Sequence, residues 1–324
     1  MLGAGAIGGV IGARLFQRGH DVVLIARGAH YRALAEGGLR LETPDESVTL
    51  RVPVVAHPSA LAFGPEDVVI LAVKSQDTRG ALDQLLEVAP STTPIVCGQN
   101  GVENERVALR SFEHVYGMCV MCPATHLEPG LVQASSSPVT GLLDVGVWPS
   151  GLDDRARELA TLLSGATFDS VAREDIARWK WGKLLLNLGN AVQAVCGASA
   201  PAGTLAQRAL DEGVAVLAAA GIGFVGPEED AQRRGHLLNV RPIGGLERGG
   251  GSSWQSLVRG AGSIETDYLS GEIVLQGRLW GIATPVNSVL QRLANQLASQ
   301  HRPPGEWTEA EVLAMIDGPS IVSG

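Results

Sequence analysis

The chain has 324 residues, a formal net charge of −9, 45% hydrophobic residues and 18% charged residues. This length allows two domains with substantial cores, and the composition is typical of a folded globular protein rather than a disordered one. The acidic balance and the lack of a basic cluster argue against nucleic acid or an anionic membrane as a partner. No apolar run approaches 18 residues and no leader pattern is evident, so we expect a cytoplasmic location.

The N-terminal sequence contains Gly3, Gly5 and Gly8 in a Gly-x-Gly-x-x-Gly pattern that opens a predicted helix. Such a turn joins the first strand of a dinucleotide-binding domain to a helix and lets the backbone approach a pyrophosphate. The predicted cofactor contacts here are Gly3, Ala4, Gly5, Ala6, Ile7 and Gly8. Because only Met1 and Leu2 precede the turn, we expect a truncated first strand and about four to six further in-frame residues upstream.

Strand and helix patterns alternate through the first half of the chain. Helices are predicted over 6–19, 29–38 and 80–90, and strands over 21–27, 66–74, 93–101, 114–126 and 146–150. The first three strands are continuously apolar, which is typical of a parallel sheet covered on both faces. The predicted fold class is therefore an α/β Rossmann-type domain with a doubly wound, mostly parallel sheet.

Helical patterns dominate from about residue 172, over 174–195, 204–221, 263–281 and 285–300. We therefore predict an NADP-binding Rossmann-type domain over residues 1–170 and an all-α substrate and catalytic domain over residues 171–324. The glycine-rich stretch 243–253 is predicted to be a loop inside the helical half and a candidate wall of a binding cleft.

Three polar residues follow predicted strands of the first domain. Arg27 stands where an NAD enzyme usually has Asp or Glu for the ribose 2′-hydroxyl, so it favours a 2′-phosphate and hence NADP; the alternative is a solvated arginine. Lys74 is a candidate second cation for the adenosine phosphates, or a surface lysine. Asn100 can bind a nicotinamide ribose or substrate, or simply form an Asn-Gly turn.

Cys119 and Cys122 form a C-x-x-C pair without a partner pair at zinc spacing. Because apolar residues lie between them, we interpret them as core residues and predict no metal site. We likewise interpret the nearby His126 as structural.

The predicted helix over 174–195 carries Lys183, Asn187 and Asn190 at positions i, i+4 and i+7. This spacing places all three on one face of an otherwise apolar helix. A cation and two amides in such surroundings need a partner or a ligand, and we favour a ligand.

The chain resembles the ketopantoate reductase (2-dehydropantoate 2-reductase) family over essentially its whole length. The resemblance depends on the opening Gly-Ala-Gly-Ala-Ile-Gly, on Lys74 and on Asn100 in Gln-Asn-Gly. Its more specific elements are Trp-x-Lys-Leu at 181–184, and Ser253 followed by Glu265. The resemblance implies reduction of a 2-oxo acid, ketopantoate, to a 2-hydroxy acid with NADPH. A domain of this kind can also form a homodimer.

The resemblance implies a role for each matching residue. Lys183 would be the general acid, and Asn100 would position both cofactor and substrate. Asn187 and Ser253 would hold the substrate, and Glu265 would contact the nicotinamide-ribose end of the cofactor. An ammonium group suits the first role, because hydride addition to a ketone leaves negative charge on oxygen.

Two positions depart from the family pattern. Ala191 stands where a second substrate asparagine is expected, and we assign Asn190, one position earlier, as the substrate ligand instead. A further family asparagine falls on or near Pro201. These departures leave open a related reductase of a different carbonyl compound. The incomplete first strand leaves open an NADP-binding protein without catalytic activity.

Overall fold

The computed structural model describes residues 1–200 and 203–318 of the chain. It divides into two compact units. The first comprises residues 1–180 and 225–248, and the second comprises residues 181–224 and 249 onward. Pro201, at which the family pattern expects an asparagine, lies outside the described residues.

The secondary structure comprises ten strands and thirteen α-helices within the described part of the chain. The strands are β1 (Leu24–Ile25), β2 (Leu39–Glu42), β3 (Ser47–Leu50), β4 (Val54–Val55), β5 (Val69–Leu71), β6 (Ile95–Cys97), β7 (Val115–Met121), β8 (Ala124–Thr125), β9 (Leu131–Ala134) and β10 (Leu142–Val147). The helices are α1 (Ala6–Gln17), α2 (Gly28–Gly37), α3 (Thr78–Leu86), α4 (Glu103–Ala108), α5 (Asp154–Gly165), α6 (Ile176–Asn187), α7 (Gly189–Cys196), α8 (Thr204–Ala219), α9 (Pro227–Arg234), α10 (Ser252–Val258), α11 (Ser270–Trp280), α12 (Pro285–Ser299) and α13 (Glu309–Asp317).

The main sheet of the first unit has the order β4-β1-Leu2-β5-β6-β7-β10. Leu2 forms parallel bridges to Ile25 on one side and Leu71 on the other. Its N–H donates to the Ile70 carbonyl at 2.9 Å, and its carbonyl accepts from the Ala72 N–H at 2.8 Å. The N-terminal residues thus occupy an interior position of the sheet, between β1 and β5. Only β10 is antiparallel to its neighbour, which confirms the predicted α/β class with a mostly parallel sheet.

A second, smaller sheet of the first unit has the order β3-β2-β9-β8 and was not predicted. It lies against α1, where Gly9 permits close packing, since a Cβ at Gly9 would be 2.7 Å from Val132 Cγ1. The core between this helix and the sheets includes the fully buried side chains of Ile11, Leu24 and Leu41.

Every secondary-structure element in the described part of the second unit is a helix. The predicted helix over 174–195 is interrupted at Leu188, and this correction places Asn190 in α7 rather than α6. Leu188 donates to the Leu185 carbonyl and accepts from Ala191, so both bonds span three residues and tighten the chain locally. The predicted helix over 263–281 begins instead as a 3₁₀ turn at Glu265–Tyr268, followed by α11.

The division between the units differs from the predicted boundary at residues 170 and 171. It falls after Lys180, because the preceding residues still pair with β10; the Arg173 N–H, for example, donates to the Val145 carbonyl at 2.8 Å. Residues 225–248 also belong to the first unit, where Arg233 forms ion pairs with Asp144 and Asp169 at 2.6 and 2.7 Å. The stretch 243–253 is a loop, but the chain crosses from one unit to the other within it.

Candidate active site

The glycine turn forms a tight backbone cradle between the centre of the main sheet and α1. Gly3 has φ +100°, and a Cβ there would lie 2.7 Å from the Val73 nitrogen. A Cβ at Gly8 would lie 1.9 Å from the Gly3 carbonyl oxygen, so only glycine fits. Around Gly5, by contrast, the nearest atom to a Cβ would be His126 Cδ2 at 4.0 Å. The backbone is therefore open at Gly5, where a ligand can approach it.

The N-terminus of α1 is suited to an anion. The helix begins at Ala6, with Ile7 and Gly8 in the first turn, and this turn contains no acidic residue. The first amide groups of a helix have no partner within the helix, and the helix dipole favours negative charge there. The predicted residues of the glycine turn are thus brought together as a site that fits a pyrophosphate.

A cavity of about 180 Å³ opens beside this turn within the first unit. Gly3, Ala4 and Gly5 line one part of it, and Arg27 lines another. Arg27 is exposed and precedes the first residue of α2. An exposed guanidinium on this cavity fits the 2′-phosphate of NADP, because arginine matches phosphate geometry with several donors.

Two histidines that the sequence analysis did not assign to the site also line the cavity, His30 and His126. Their ring centroids are 4.3 Å apart. His30 joins the glycine turn to the second sheet: its Nε2 is 2.8 Å from the Ala4 carbonyl oxygen, and its Nδ1 accepts from the Gly130 N–H at 3.0 Å. These two bonds assign the neutral tautomer with its proton on Nε2. Burial lowers the pKa of His30 and favours this neutral form.

Lys74 and Asn100 follow adjacent strands of the main sheet, β5 and β6. Lys74 precedes the 3₁₀ turn Ser75–Asp77. The Asn100 carbonyl accepts a hydrogen bond from Asn104 Nδ2 at 3.1 Å, and that amide also donates to Ser75 Oγ at 3.2 Å. Gln99 Nε2 donates to the Val73 carbonyl at 2.9 Å. The backbone at Asn100 is thereby fixed by a buried polar network at the carboxyl edge of the sheet, where α/β folds bind ligands.

In the second unit, Lys183 and Asn187 are in direct contact. Lys183 Nζ donates to Asn187 Oδ1 at 2.7 Å. Asn187 is buried, whereas Lys183 is half-buried. The third predicted residue of this face, Asn190, donates from Nδ2 to Ser252 Oγ at 3.4 Å. Ala191 is buried, so its side chain belongs to the packed interior.

Ser253 lies next to the contact between α7 and the start of α10. Gly251 allows that contact, since a Cβ there would be 2.5 Å from Asn190 Oδ1, and its N–H donates to Gln193 Oε1 at 2.7 Å. Ser253 is only 2% exposed, and its Oγ has no hydrogen-bond partner among the described residues. A buried hydroxyl in this state is costly, and a ligand oxygen would satisfy it.

Glu265 is buried in the second unit at the start of its 3₁₀ turn. Burial lowers the pKa of the nearby Arg259, and the Glu265 carboxylate opposes that shift. The sequence analysis did not single out Arg259. The Arg259 guanidinium is thus an oppositely charged neighbour of the buried Glu265 carboxylate.

Neither cysteine of the C-x-x-C pair is in a disulfide. Cys119 is buried, and burial raises the pKa of the Cys122 thiol to about 12, so both surroundings suit core packing. Within residues 1–200 and 203–318, His, Cys, Asp and Glu side chains form no group of three that could hold a metal ion. No helix in the same ranges is long and apolar enough to cross a membrane.

Comparison with known proteins shows the family. The family described as ketopantoate reductase PanE/ApbA matches residues 1–149, and the corresponding C-terminal family matches residues 175–298. A 2-dehydropantoate 2-reductase of Mesorhizobium japonicum is 32% identical, covering 92% of this chain and 97% of the relative.

Solved structures show the same fold. A PanE/ApbA family ketopantoate reductase from Ralstonia eutropha JMP134 is 29% identical with a TM-score of 0.76, covering 93% of this chain and 99% of that one. The structure of D-mandelate dehydrogenase with NADH and anilino(oxo)acetate has a TM-score of 0.78 at 24% identity, covering 93% of this chain and 99% of that one. The chain therefore belongs to the ketopantoate reductase family of NADP-dependent oxidoreductases.

Proposed function

We propose that this protein reduces ketopantoate to pantoate with NADPH, and that Lys183 is the proton donor. The observation that carries the proposal is the bond from Lys183 Nζ to Asn187 Oδ1, which orients the ammonium group in the Trp-x-Lys-Leu segment. The relative from Mesorhizobium japonicum is named 2-dehydropantoate 2-reductase, and the similarity extends over 92% of this chain.

The residues of the first unit would hold the dinucleotide. The amides at Gly5, Ala6 and Ile7 would bind its pyrophosphate, and Arg27 its 2′-phosphate; Lys74 would add a second cation for the adenosine phosphates. When NADPH is bound, the chemistry that it supplies is a hydride for the carbonyl carbon of the substrate. Asn100 and Glu265 would orient its nicotinamide-ribose end.

Lys183 would act on the oxygen of the same carbonyl group. Its ammonium stabilises the negative charge that develops on this oxygen and then transfers a proton to it, which completes the hydroxyl group of the product. The reaction is balanced by one hydride on carbon and one proton on oxygen. A positioned proton donor of this kind contributes about 10²–10⁴-fold in rate.

Polar side chains of the second unit would hold the substrate. Asn187 orients Lys183 and would also contact the substrate. Ser253 would supply a buried hydroxyl that lacks a protein partner among the described residues. Asn190 would contribute the second amide, because the side chain of Ala191 is buried. Buried polar groups that match a substrate's own polar groups discriminate strongly against analogues that lack them.

A related reductase of another 2-oxo acid is the second candidate. The displacement of one substrate amide from residue 191 to Asn190 favours it. The fold itself is compatible with either substrate, since D-mandelate dehydrogenase shares it. A protein that binds NADP without catalysis is the third candidate; the oriented Lys183 argues against it.

We also propose a cytoplasmic location and a homodimeric assembly. The location is supported by the four cysteines, all of which are free thiols, as in a reducing compartment. Light scattering of the purified protein tests the dimer directly.

The experiment that tests the proposed mechanism compares the parent protein with Lys183→Met, which keeps the unbranched side chain as far as Cε but removes the ammonium group and its proton. Ketopantoate-dependent oxidation of NADPH should fall about 10²–10⁴-fold in kcat, while the Kd for NADPH, from a fluorescence titration, stays unchanged. Comparable turnover by the variant would refute Lys183 as the proton donor.

A further inference from the structure

The first unit contains a fully buried ion pair that the proposed mechanism does not use. Lys180, in α6, is 3% exposed, and Glu105, in α4, is 0% exposed. Lys180 Nζ contacts Glu105 Oε1. Because removing two charges from water costs free energy, a buried pair often stabilises a fold no better than apolar side chains of similar volume. The pair therefore calls for an explanation other than stability.

The hydrogen bonds of Lys180 provide one. Besides the ion pair, Nζ donates to the Gln99 carbonyl oxygen at 3.0 Å and to the Met118 carbonyl oxygen at 3.4 Å. The ammonium group therefore contacts one carboxylate and two backbone carbonyls. An apolar side chain at residue 180 would leave the Gln99 carbonyl without this partner in the interior.

The Gln99 carbonyl belongs to the peptide group that connects Gln99 to Asn100. The next carbonyl, that of Asn100 itself, accepts from Asn104 Nδ2 at 3.1 Å. Both peptide groups that flank the Cα of Asn100 are thus held by buried side chains. The direction of the Asn100 side chain follows from the orientation of these two peptide groups.

We propose that Lys180 and Glu105 are positioning residues for Asn100, the amide assigned above to cofactor and substrate. The inference rests on that proposed function. Lys180 fixes the Gln99–Asn100 peptide group, and Glu105 supplies the countercharge that lets an ammonium remain in the interior. The two act on the reaction through Asn100 and need not touch either ligand.

The charges of Lys180 and Glu105 can be removed separately or together by substitution. Burial raises the pKa of Glu105, and the Lys180 ammonium opposes this shift. In Lys180→Met, Glu105 will therefore take up a proton rather than remain as an isolated buried charge. The double variant Lys180→Met/Glu105→Gln removes both charges and keeps both side-chain volumes, so the fold should survive even though the Gln99 carbonyl loses its donor.

The test places this double variant in two backgrounds, the parent and Asn100→Ala. Kd for NADPH, kcat and KM for ketopantoate, and the melting temperature are measured for all four proteins. A control, Arg157→Met/Asp154→Asn, removes an exposed ion pair between oppositely charged side chains of α5. The control should behave like the parent, since exposed pairs contribute little.

The positioning role predicts a loss of about 10²-fold in kcat/KM for the double variant, because misplacing a contact group by about 1 Å costs this much. Weaker NADPH binding should accompany it, with the melting temperature within a few degrees of the parent. In the Asn100→Ala background the same two substitutions should change Kd and kcat/KM less than about two-fold, since residues that act through one group are not additive.

Parent-like kinetics and affinity in the double variant, alongside a defective Asn100→Ala, would overturn the positioning role and leave the proposed function intact. Independent, multiplicative losses in the Asn100→Ala background would also overturn it. An Asn100→Ala variant with parent Kd and kcat/KM would refute the proposed role of Asn100 and the inference with it. If the double variant does not fold, Lys180→Met alone is measured against the same outcomes.

Discussion

Lys183 Nζ donates a hydrogen bond to Asn187 Oδ1 at 2.7 Å, one helical turn further along α6. The bond fixes a flexible four-carbon side chain in one direction before any substrate arrives. The Asn187 side chain is itself buried, so the accepting end of the bond is held by the surrounding residues. In the proposed mechanism this pair would combine the proton donor with a substrate contact.

The first prediction concerns Asn187→Ala. The variant removes the acceptor at 2.7 Å from Lys183 Nζ and, in the proposed mechanism, one contact to the substrate. We expect kcat/KM for ketopantoate to fall about 10-fold or more, because a hydrogen bond to a charged group is worth about 1.5–3 kcal/mol. Steady-state kinetics measure this effect. Leu186→Ala, at the adjacent exposed position, is the control. An equal loss of kcat/KM in this control would show that the effect comes from a disturbed α6 and not from the missing Asn187 amide.

The second prediction concerns cofactor choice. Arg27→Ala removes the guanidinium from the cavity beside the glycine turn, and we expect the Kd for NADPH to rise about 10–100-fold, as for the loss of a charge-assisted hydrogen bond. The Kd for NADH should change little. Arg32→Ala, at an exposed position of α2, should alter neither value. An equal rise in the Kd for NADPH and for NADH would show that Arg27 does not bind the 2′-phosphate.

The third prediction separates two glycines of the same turn. In Gly5→Ala the added Cβ has space, so the melting temperature should stay near that of the parent, yet the methyl group fills the cradle and NADPH binding should weaken. In Gly8→Ala the Cβ collides with the Gly3 carbonyl, and the protein itself should be destabilised. Gly37→Ala, which meets no atom within 4 Å, is the control. Unchanged NADPH affinity in Gly5→Ala would contradict a pyrophosphate at this position.

The fourth prediction is a pH dependence of stability. Burial keeps the pKa of His30 in the folded protein below its ordinary value of 6.5. The unfolded chain therefore binds this proton at a higher pH than the folded chain does. The stabilising contribution is complete above about pH 6.5 and is lost as the pH falls toward the lowered pKa.

The measurement is the melting temperature of the parent and of His30→Gln from neutral pH to pH 5. The parent should lose stability more steeply than the variant, whose side chain can still donate to the Ala4 carbonyl but does not titrate. His236→Gln changes an exposed histidine and should follow the parent. If the melting temperatures of the parent and of His30→Gln fell equally with pH, protonation of His30 would not disturb its hydrogen bonds to Ala4 and Gly130.

Patterns of neighbouring residues predicted much of the fold. The elements that were not predicted depend on contacts between residues far apart in the sequence. The glycine turn, α1 and the apolar strands β5 and β6 have strong local signatures, so they were predicted within a few residues. The strands β2 and β3 are four residues each and carry polar side chains on one face, so they become strands only by pairing with each other and with β9. The break at Leu188 likewise had no signal, because leucine favours helix.

The same distinction applies to the candidate site. Arg27 and Lys183 were singled out because their positions relative to a strand or a helix face can be read from nearby residues. The bonds of His30 to Ala4 and Gly130 connect three separate segments, and the Lys180–Glu105 pair connects two. Such pairings arise from the tertiary fold alone, and a single sequence contains no pattern that predicts them.

The most direct test of the central claim is the oxidation of NADPH by the purified protein with ketopantoate and with a panel of other 2-oxo acids, each repeated with NADH. We predict saturable turnover with NADPH, the highest kcat/KM for ketopantoate, and a kcat/KM with NADH lower by at least about 10-fold. A higher kcat/KM for another 2-oxo acid, or tight NADPH binding without turnover of any of them, would contradict the account.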